Sequence, residues 1–111
     1  MKNLWIDKKY QSEFNGTNVL KAMIPNNGFD YPKSIYAVED CVKLCAEKKD
    51  VVLDYFGGSG TTAHSVINLN KKDNGTRSFI LVEMGHHFDS VLRPRVEKVI
   101  YSEDWDNGKP V

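Results

Sequence analysis

Apolar positions along the chain form two short runs and several stretches with helical spacing. The runs cover residues 51–53 (Val-Val-Leu) and 79–82 (Phe-Ile-Leu-Val), a composition typical of strands buried in a parallel sheet. Apolar residues recur at intervals of three and four over residues 33–48 and 88–101, and a further helix is expected over residues 61–70, between the two runs. Strands alternating with helices predict an α/β fold with parallel strands and flanking helices.

The remaining segments are more polar. Residues 1–28 hold scattered aromatics and turn signals, which predict an irregular lead-in with one short helix over residues 19–23. Residues 29–102 hold both runs and form the expected core, whereas residues 103–111 are polar and predict a frayed tail. With 111 residues the chain is expected to be a single domain.

Composition narrows the functional classes only slightly. Lys+Arg and Asp+Glu are balanced at 15 each, so the chain has no net positive charge of the kind that would indicate a nucleic-acid partner. Neither a signal peptide nor a bilayer-length apolar run is present, which predicts a cytoplasmic protein without membrane contact. Cys41 and Cys45 are expected to be small core residues, and no second ligand pair accompanies them, so no metal site is predicted.

A glycine-rich turn directly follows the first apolar run. Gly58 and Gly60 can take positive φ and let a ligand approach the backbone, and Thr61 then opens a helix whose free N–H groups favour an anion. The spacing from Gly58 to Ala63 is G-x-G-x-x-A, a form of the dinucleotide fingerprint. That fingerprint calls for an acidic residue about 20 positions later to hold ribose hydroxyls, and Glu83 ends the second run. The sequence therefore predicts a nucleotide-type site.

The same residues resemble a known family. Residues 54–62 (DYFGGSGTT) are similar to the S-adenosylmethionine-binding motif of DNA amino-methyltransferases, D-x-F-x-G-x-G-T-T, and residues 29–34 (FDYPKS) resemble the motif that precedes it. Together with these, several further segments resemble the modification (Mod) subunit of type III restriction-modification systems: residues 16–17, 20–21, 61–64, 79–85 and 98–102. The resemblance implies a partial Rossmann-like methyltransferase fold.

The resemblance also implies a role for each matching position. The turn would wrap the methionine part of S-adenosylmethionine, with its backbone N–H groups and two threonine hydroxyls near the carboxylate. Asp54 would face the ammonium, Glu83 would accept the ribose hydroxyls, Met84 would pack on the adenine, and Phe29 and Asp30 would close the pocket. The implied cofactor-binding set is Phe29, Asp30, Asp54, Phe56, Gly58, Gly60, Thr61, Thr62, Glu83 and Met84.

Plainer structural roles compete with these assignments. Asp54 could cap a turn, Glu83 could be an exposed carboxylate at a strand end, and Met84 could belong to the core. Gly57 occupies a position that the motif leaves free. Two further sets are expected at the surface rather than in the site, although the basic one could touch phosphate: His64, His86 and His87, and Arg93, Arg95 and Lys98.

The catalytic motif of the family is absent from this chain. Transfer of a methyl group to an exocyclic amine needs a pocket for a flipped base, which the family builds from D-P-P-Y or N-P-P-Y. No two of the four prolines, Pro25, Pro32, Pro94 and Pro110, are adjacent. The chain is therefore interpreted as the C-terminal cofactor-binding part of a DNA adenine-N6 methyltransferase, without catalytic residues of its own.

The expected partners follow from that interpretation. They are DNA, engaged through a complementing N-terminal part, a restriction subunit, and a second copy of the chain. Two other classes stay open: an NAD- or FAD-binding module, and a non-catalytic remnant that keeps the fold.

Overall fold

The computed structural model describes residues 4–111, and these contain short helical and strand elements in α/β order. The elements in chain order are a 3-10 turn at Lys8–Tyr10, a π-helical turn at Glu13–Thr17 that runs into α1 (Asn18–Met23), α2 (Ile35–Cys45), β1 (Val51–Asp54), α3 (Thr61–Asp73), β2 (Ser78–Leu81), a π-helical turn at Phe88–Leu92 that runs into α4 (Arg93–Tyr101), and the short strands β3 (Trp105–Asp106) and β4 (Lys109–Pro110).

β1 and β2 form a two-stranded parallel sheet, connected through α3. Their register places Asp54 opposite Leu81, so both strands end at the same edge of the sheet. This βαβ order agrees with the prediction from the apolar runs, to within one residue at each strand end. The loops that follow β1 and β2 therefore both leave the sheet at this edge.

One face of this sheet is packed and the other is bare. Val52 and Phe79 pack on a cluster formed by Val42 of α2 with Val66 and Leu69 of α3. The intervening residues point the opposite way because strand side chains alternate, and three of them are strongly exposed: Val51 (60%), Leu53 (57%) and Ile80 (55%). The expectation of buried strands is therefore wrong for this exposed face, among the residues that the structure describes.

α2 forms where the helical spacing predicts, but begins and ends inside the expected range. Its N-cap is Ser34, whose Oγ accepts a hydrogen bond from the Ala37 N–H at 3.4 Å. Ile35, Glu39 and Val42 form its buried stripe. Cys41 and Cys45 lie off this stripe and are exposed free thiols, so their assignment to the core is wrong.

The last predicted helix divides into two windings. Residues 88–92 take the wider π form, and regular α-helix begins at Arg93, with Pro94 in its first turn. Pro94 has no N–H to donate to a carbonyl in the preceding turn, and its ring would crowd that carbonyl in a regular α-helix. The proline therefore sits where the helix changes its hydrogen-bond pattern.

The C-terminal residues form a hairpin rather than a frayed tail. β3 and β4 pair antiparallel across Asn107 and Gly108, whose φ values of 46° and 80° match the turn that Asn-Gly favours. The Gly108 N–H donates to the Ala22 carbonyl at 2.8 Å, which fixes the hairpin to α1. Lys98 donates to the Gly108 carbonyl at 3.1 Å and lies 4.6 Å from the Trp105 ring centre, so its assignment to a solvated face is also wrong.

Candidate functional site

The glycine-rich turn leaves the sheet at the carboxyl end of β1. Gly58 has φ of 57° and Gly60 has φ of 85°, both in the left-handed region that favours glycine. The Gly57 N–H donates to the Val82 carbonyl at 2.8 Å, and the Gly60 N–H donates to the Gly57 carbonyl at 2.9 Å. The turn is thus tied to the segment after β2 and closed on itself, with Gly58 and Gly60 in the predicted conformation.

Gly57 is more constrained than the motif indicates. A Cβ at this position would lie 2.8 Å from Leu92 Cδ1 and 3.4 Å from Leu81 Cβ, and the residue is buried. Position 57, which the motif leaves free, is therefore confined by packing in the structure. An alanine there would require the Leu92 side chain to shift, and this contact joins distant parts of the chain.

α3 begins at the end of this turn with its backbone donors uncapped by any side chain. Gly60 is the N-cap and has no side-chain oxygen, and the first helical hydrogen bond runs from the His64 N–H to the Gly60 carbonyl at 3.1 Å. The N–H groups of Thr61, Thr62 and Ala63 therefore have no partner within the helix. Such donors, with the helix dipole behind them, favour an anionic group.

Asp54 caps the glycine-rich turn by accepting hydrogen bonds from residues at both ends of it. Its Oδ1 accepts from the Phe56 N–H at 3.0 Å, and its Oδ2 accepts from the Thr62 hydroxyl at 2.7 Å. This is the plainer of its two expected roles. Each oxygen keeps a further lone pair, so the contacts also leave the carboxylate able to face a cation. The Thr62 proton is directed to Asp54, so this hydroxyl contributes an acceptor rather than a donor to the space above the turn.

Glu83 reaches the turn from the end of β2. Its Oε1 accepts from the Gly58 N–H at 2.9 Å and lies 3.1 Å from His87 Nε2, while its Oε2 accepts from the Gly85 N–H at 2.9 Å. The hydrogen bonds from Gly85, Gly58 and His87 lower the pKa of Glu83 to about 2. The carboxylate is therefore charged at neutral pH and holds the turn and the segment after β2 together, which the strand-end pattern alone does not reveal.

The upstream motif meets the turn through Phe29. The Phe29 ring lies 5.2 Å from that of His87, edge to face, and its Cζ would lie 3.7 Å from a Cβ at Gly58. Asp30 is exposed beside it. The structure thus brings one residue of the upstream motif to the turn and leaves Asp30 free of hydrogen-bond partners among the contacts seen in residues 4–111.

Two further members of the expected set extend into solvent. Phe56 is 87% exposed and Met84 is 97% exposed, at the ends of the segments that follow β1 and β2. Met84 is not a core residue, so that alternative is wrong. Both side chains offer apolar surface at the edge of the sheet where the turn lies.

Arg95 and His64 lie directly beneath the turn, where the sequence predicts surface residues. Arg95 is fully buried, and its Nη1 donates to Ser59 Oγ at 3.0 Å and to Thr61 Oγ1 at 3.1 Å. His64 is 5% exposed, and burial together with the Arg95 charge lowers the pKa of this histidine to about 3. The assignment of both to a solvated surface is wrong.

Two kinds of feature are not found in the part of the chain that the structure describes. Across residues 4–111, no group of three or more His, Cys, Asp or Glu side chains is arranged to hold a metal ion. None of the helices in that range is long and apolar enough to cross a membrane.

The fold and this turn define an α/β protein with a small parallel sheet and a glycine-rich turn at the carboxyl edge of that sheet. The sequence profile of the DNA methylase family (N6_N4_Mtase) matches residues 1–92. The chain belongs to this family of DNA methylases.

Curated relatives place it more narrowly. The chain is 39% identical over 82 residues to the Mod subunit of the type III restriction-modification enzyme EcoPI of Escherichia phage P1, and 42% identical over 79 residues to the StyLTI Mod subunit of Salmonella typhimurium, matches that cover 74% and 71% of the chain. It is 35% identical over 86 residues, or 78% of the chain, to the type II methyltransferase M.KpnI of Klebsiella pneumoniae. The matches span 12% of each Mod subunit and 20% of M.KpnI.

Proposed function

We propose that this chain binds S-adenosylmethionine at the glycine-rich turn and serves as the cofactor-binding part of a DNA adenine-N6 methyltransferase with a partial Rossmann-like fold. The observation that carries the proposal is that two acidic side chains from the ends of neighbouring strands both accept hydrogen bonds from the same glycine-rich turn. Asp54 ends β1, Glu83 follows β2, and both are hydrogen-bonded to residues 56–62. Ligands of open α/β sheets bind outside the carboxyl ends of the strands, which is where this turn lies.

The charges around the turn suit the two ends of the cofactor's amino-acid group. The uncapped N–H groups of α3 would take the carboxylate, an interaction worth about 0.3–1 kcal/mol at a helix N-terminus. The spare lone pairs of Asp54 would face the ammonium. Phe29, at the far side of Gly58, would close the pocket beside the methionine chain together with Asp30.

The ribose and the adenine would lie on the β2 side of the turn. Glu83 already accepts two backbone N–H groups, so the two ribose hydroxyls would have to share its remaining lone pairs or displace His87 from Oε1. Met84 would cover a face of the adenine with its exposed apolar surface, whereas the exposed Phe56 would lie against the methionine part of the cofactor. These positions would then lose most of their exposure on binding.

The chain would supply the cofactor and not the base pocket. The 111 residues of the chain hold no Asp-Pro-Pro-Tyr or Asn-Pro-Pro-Tyr motif, and transfer to the adenine amine needs a pocket that receives a flipped base. We propose that this pocket and the recognition of DNA come from other residues that complement the chain, as the Mod relatives are several times longer than the match. A restriction subunit is a further proposed partner.

Ligand choice tests the proposal directly. We expect the chain to bind S-adenosylmethionine or S-adenosylhomocysteine more tightly than NAD, because the turn presents one uncapped helix N-terminus to a single carboxylate and carries two carboxylates of its own near the glycines. Isothermal titration calorimetry with each ligand measures this. Tighter binding of NAD would favour a dinucleotide module, and no binding of either at millimolar concentration would favour a remnant that keeps only the fold.

Glu83 provides a second test of the same site. Glu83→Ala is expected to weaken S-adenosylmethionine binding at least about tenfold, since it removes acceptors of charge-assisted hydrogen bonds and also frees the Gly58 N–H. Titration calorimetry gives the affinity and circular dichroism checks the fold. Glu97→Ala is the matched control, because Glu97 is an exposed carboxylate on α4 that pairs with Arg93. Equal affinities for the two variants would mean that Glu83 does not contact the ligand.

A further inference from the structure

Arg95 brings a buried positive charge to the underside of the glycine-rich turn. Its side chain is fully buried, and Nη1 bonds Ser59 Oγ at 3.0 Å and Thr61 Oγ1 at 3.1 Å. Its stem packs under Gly60, where a Cβ would lie 3.7 Å from Arg95 Cδ. The guanidinium is therefore held directly behind the residues that open α3, within hydrogen-bond distance of the turn itself.

No acidic side chain neutralises this charge among residues 4–111. The salt bridges formed in that range involve other basic residues. Besides the two hydroxyls, Arg95 Nη1 donates to the Ser59 carbonyl at 3.4 Å, and Nε and Nη2 lie 3.3 and 3.2 Å from His64 Nδ1. With two arginine donors facing it, His64 Nδ1 is an acceptor and the ring is neutral. A buried guanidinium that meets only neutral acceptors is unusual, because burial of an unpaired charge is costly.

The neutral shell leaves the charge available to a ligand. The low pKa of His64, about 3, keeps the imidazole uncharged, whereas burial lowers the pKa of Arg95 only to about 10, so the guanidinium stays protonated at neutral pH. The free N–H groups at the start of α3 add partial positive charge of the same sign. The Arg95 guanidinium and the N-terminus of α3 thus place positive charge on the inner side of the turn. An anion bound on its outer side would balance this charge.

We infer that Arg95 is a positioning residue that makes the glycine-rich turn selective for ligands with a negatively charged group, by holding Ser59 and Thr61 in place and by placing its uncompensated charge behind the turn. This inference rests on the proposed binding of S-adenosylmethionine and assigns the preference for its carboxylate. Arg95 does not touch the ligand in this arrangement. It acts through the turn and through its electric field, which is weakly screened in the protein interior.

A purely structural role would give a different pattern of affinities. If Arg95 only supports the turn, its loss weakens every ligand of the turn alike. If its charge selects the carboxylate, its loss weakens a ligand that has the carboxylate more than one that lacks it. S-Adenosylmethionine and decarboxylated S-adenosylmethionine differ in that group alone, so the ratio of their affinities reports the charge and cancels general damage.

The experiment measures both affinities by titration calorimetry for the 111-residue chain and its variants. The wild type is expected to prefer S-adenosylmethionine, and Arg95→Met is expected to reduce that preference at least about fivefold. Arg93→Met is the matched control, because Arg93 is an exposed arginine on the same helix, paired with Glu97 at 2.9 Å, and its loss should leave the ratio unchanged. Arg95→Lys keeps the charge and should retain most of the preference.

The outcomes separate this inference from the proposed function. A wild type that binds neither ligand overturns the proposed function itself. Binding of both with a ratio that Arg95→Met leaves unchanged overturns the role of Arg95 alone and makes it a structural support. Circular dichroism checks each fold, and if Arg95→Met does not fold, Arg95→Gln, which keeps a polar group for Ser59 and removes the charge, decides by the same ratio.

Discussion

Gly58→Val is expected to abolish binding of S-adenosylmethionine. Gly58 has φ of 57°, a conformation that costs a β-branched residue on the order of 1–3 kcal/mol. Its N–H also donates to Glu83 at 2.9 Å, so relief of the strain by moving the turn would break that contact. The branched side chain would project toward Phe29, whose Cζ is 3.7 Å from the position of the new Cβ. Titration calorimetry with S-adenosylmethionine measures the loss.

Two other glycines serve as controls. Gly108→Val places the same side chain at φ of 80° in the C-terminal hairpin, so it should lower the melting temperature and leave binding intact.

Gly57→Ala should cost about 1–3 kcal/mol of stability by crowding Leu92, since its Cβ would lie 2.8 Å from Leu92 Cδ1. Its binding should largely persist. A binding loss from Gly57→Ala as large as that from Gly58→Val would mean that the ligand-facing glycine is misassigned.

The elements whose pattern is local were predictable from the sequence. The apolar runs predicted β1 and β2, and the helical spacing predicted α2 and α4, because side-chain alternation depends only on neighbours in the chain. The helix α3 was predicted from its place after the glycine-rich turn, between the two runs. The C-terminal hairpin was missed although Asn107-Gly108 is a strong hairpin signal. The flanking pairs are only two residues long, too short to show alternation, and their anchor on α1 is distant in the sequence.

The site was predictable as a motif and not as a network. The glycines, with their positive φ values, and the position of Glu83 followed from spacing. The buried Arg95 was missed because charged residues are assigned to the surface by type. A local signal was present, since Leu92, Arg95 and Val99 lie three and four positions apart and all three are at most 4% exposed. The position of this arginine at the centre of an apolar stripe was therefore a local indication that its side chain is buried.

The bare face of the sheet bears on what this chain can do alone. Val51, Leu53 and Ile80 are each more than half exposed on that face. Parallel sheets are normally covered on both faces, and each of two strands leaves an open edge. We expect the face to be covered by complementing methyltransferase residues and, where these are missing, by a second copy of the chain.

The chain of 111 residues, purified by itself, is expected to show no methylation of DNA and to self-associate. It holds no Pro-Pro pair to build a base pocket and no excess of positive charge for the phosphate contacts that dominate DNA affinity. Incubation with adenine-containing duplex and labelled S-adenosylmethionine measures the first expectation, and sedimentation measures the second.

The same assay is then repeated with an EcoPI Mod subunit from which the segment matching this chain has been deleted. Methyl incorporation that appears only in the mixture, together with loss of the self-associated species, would support the cofactor-binding role, because neither part would then methylate DNA by itself. Incorporation by the chain alone would show that it holds a base pocket of another kind, and would overturn the proposed division of the site.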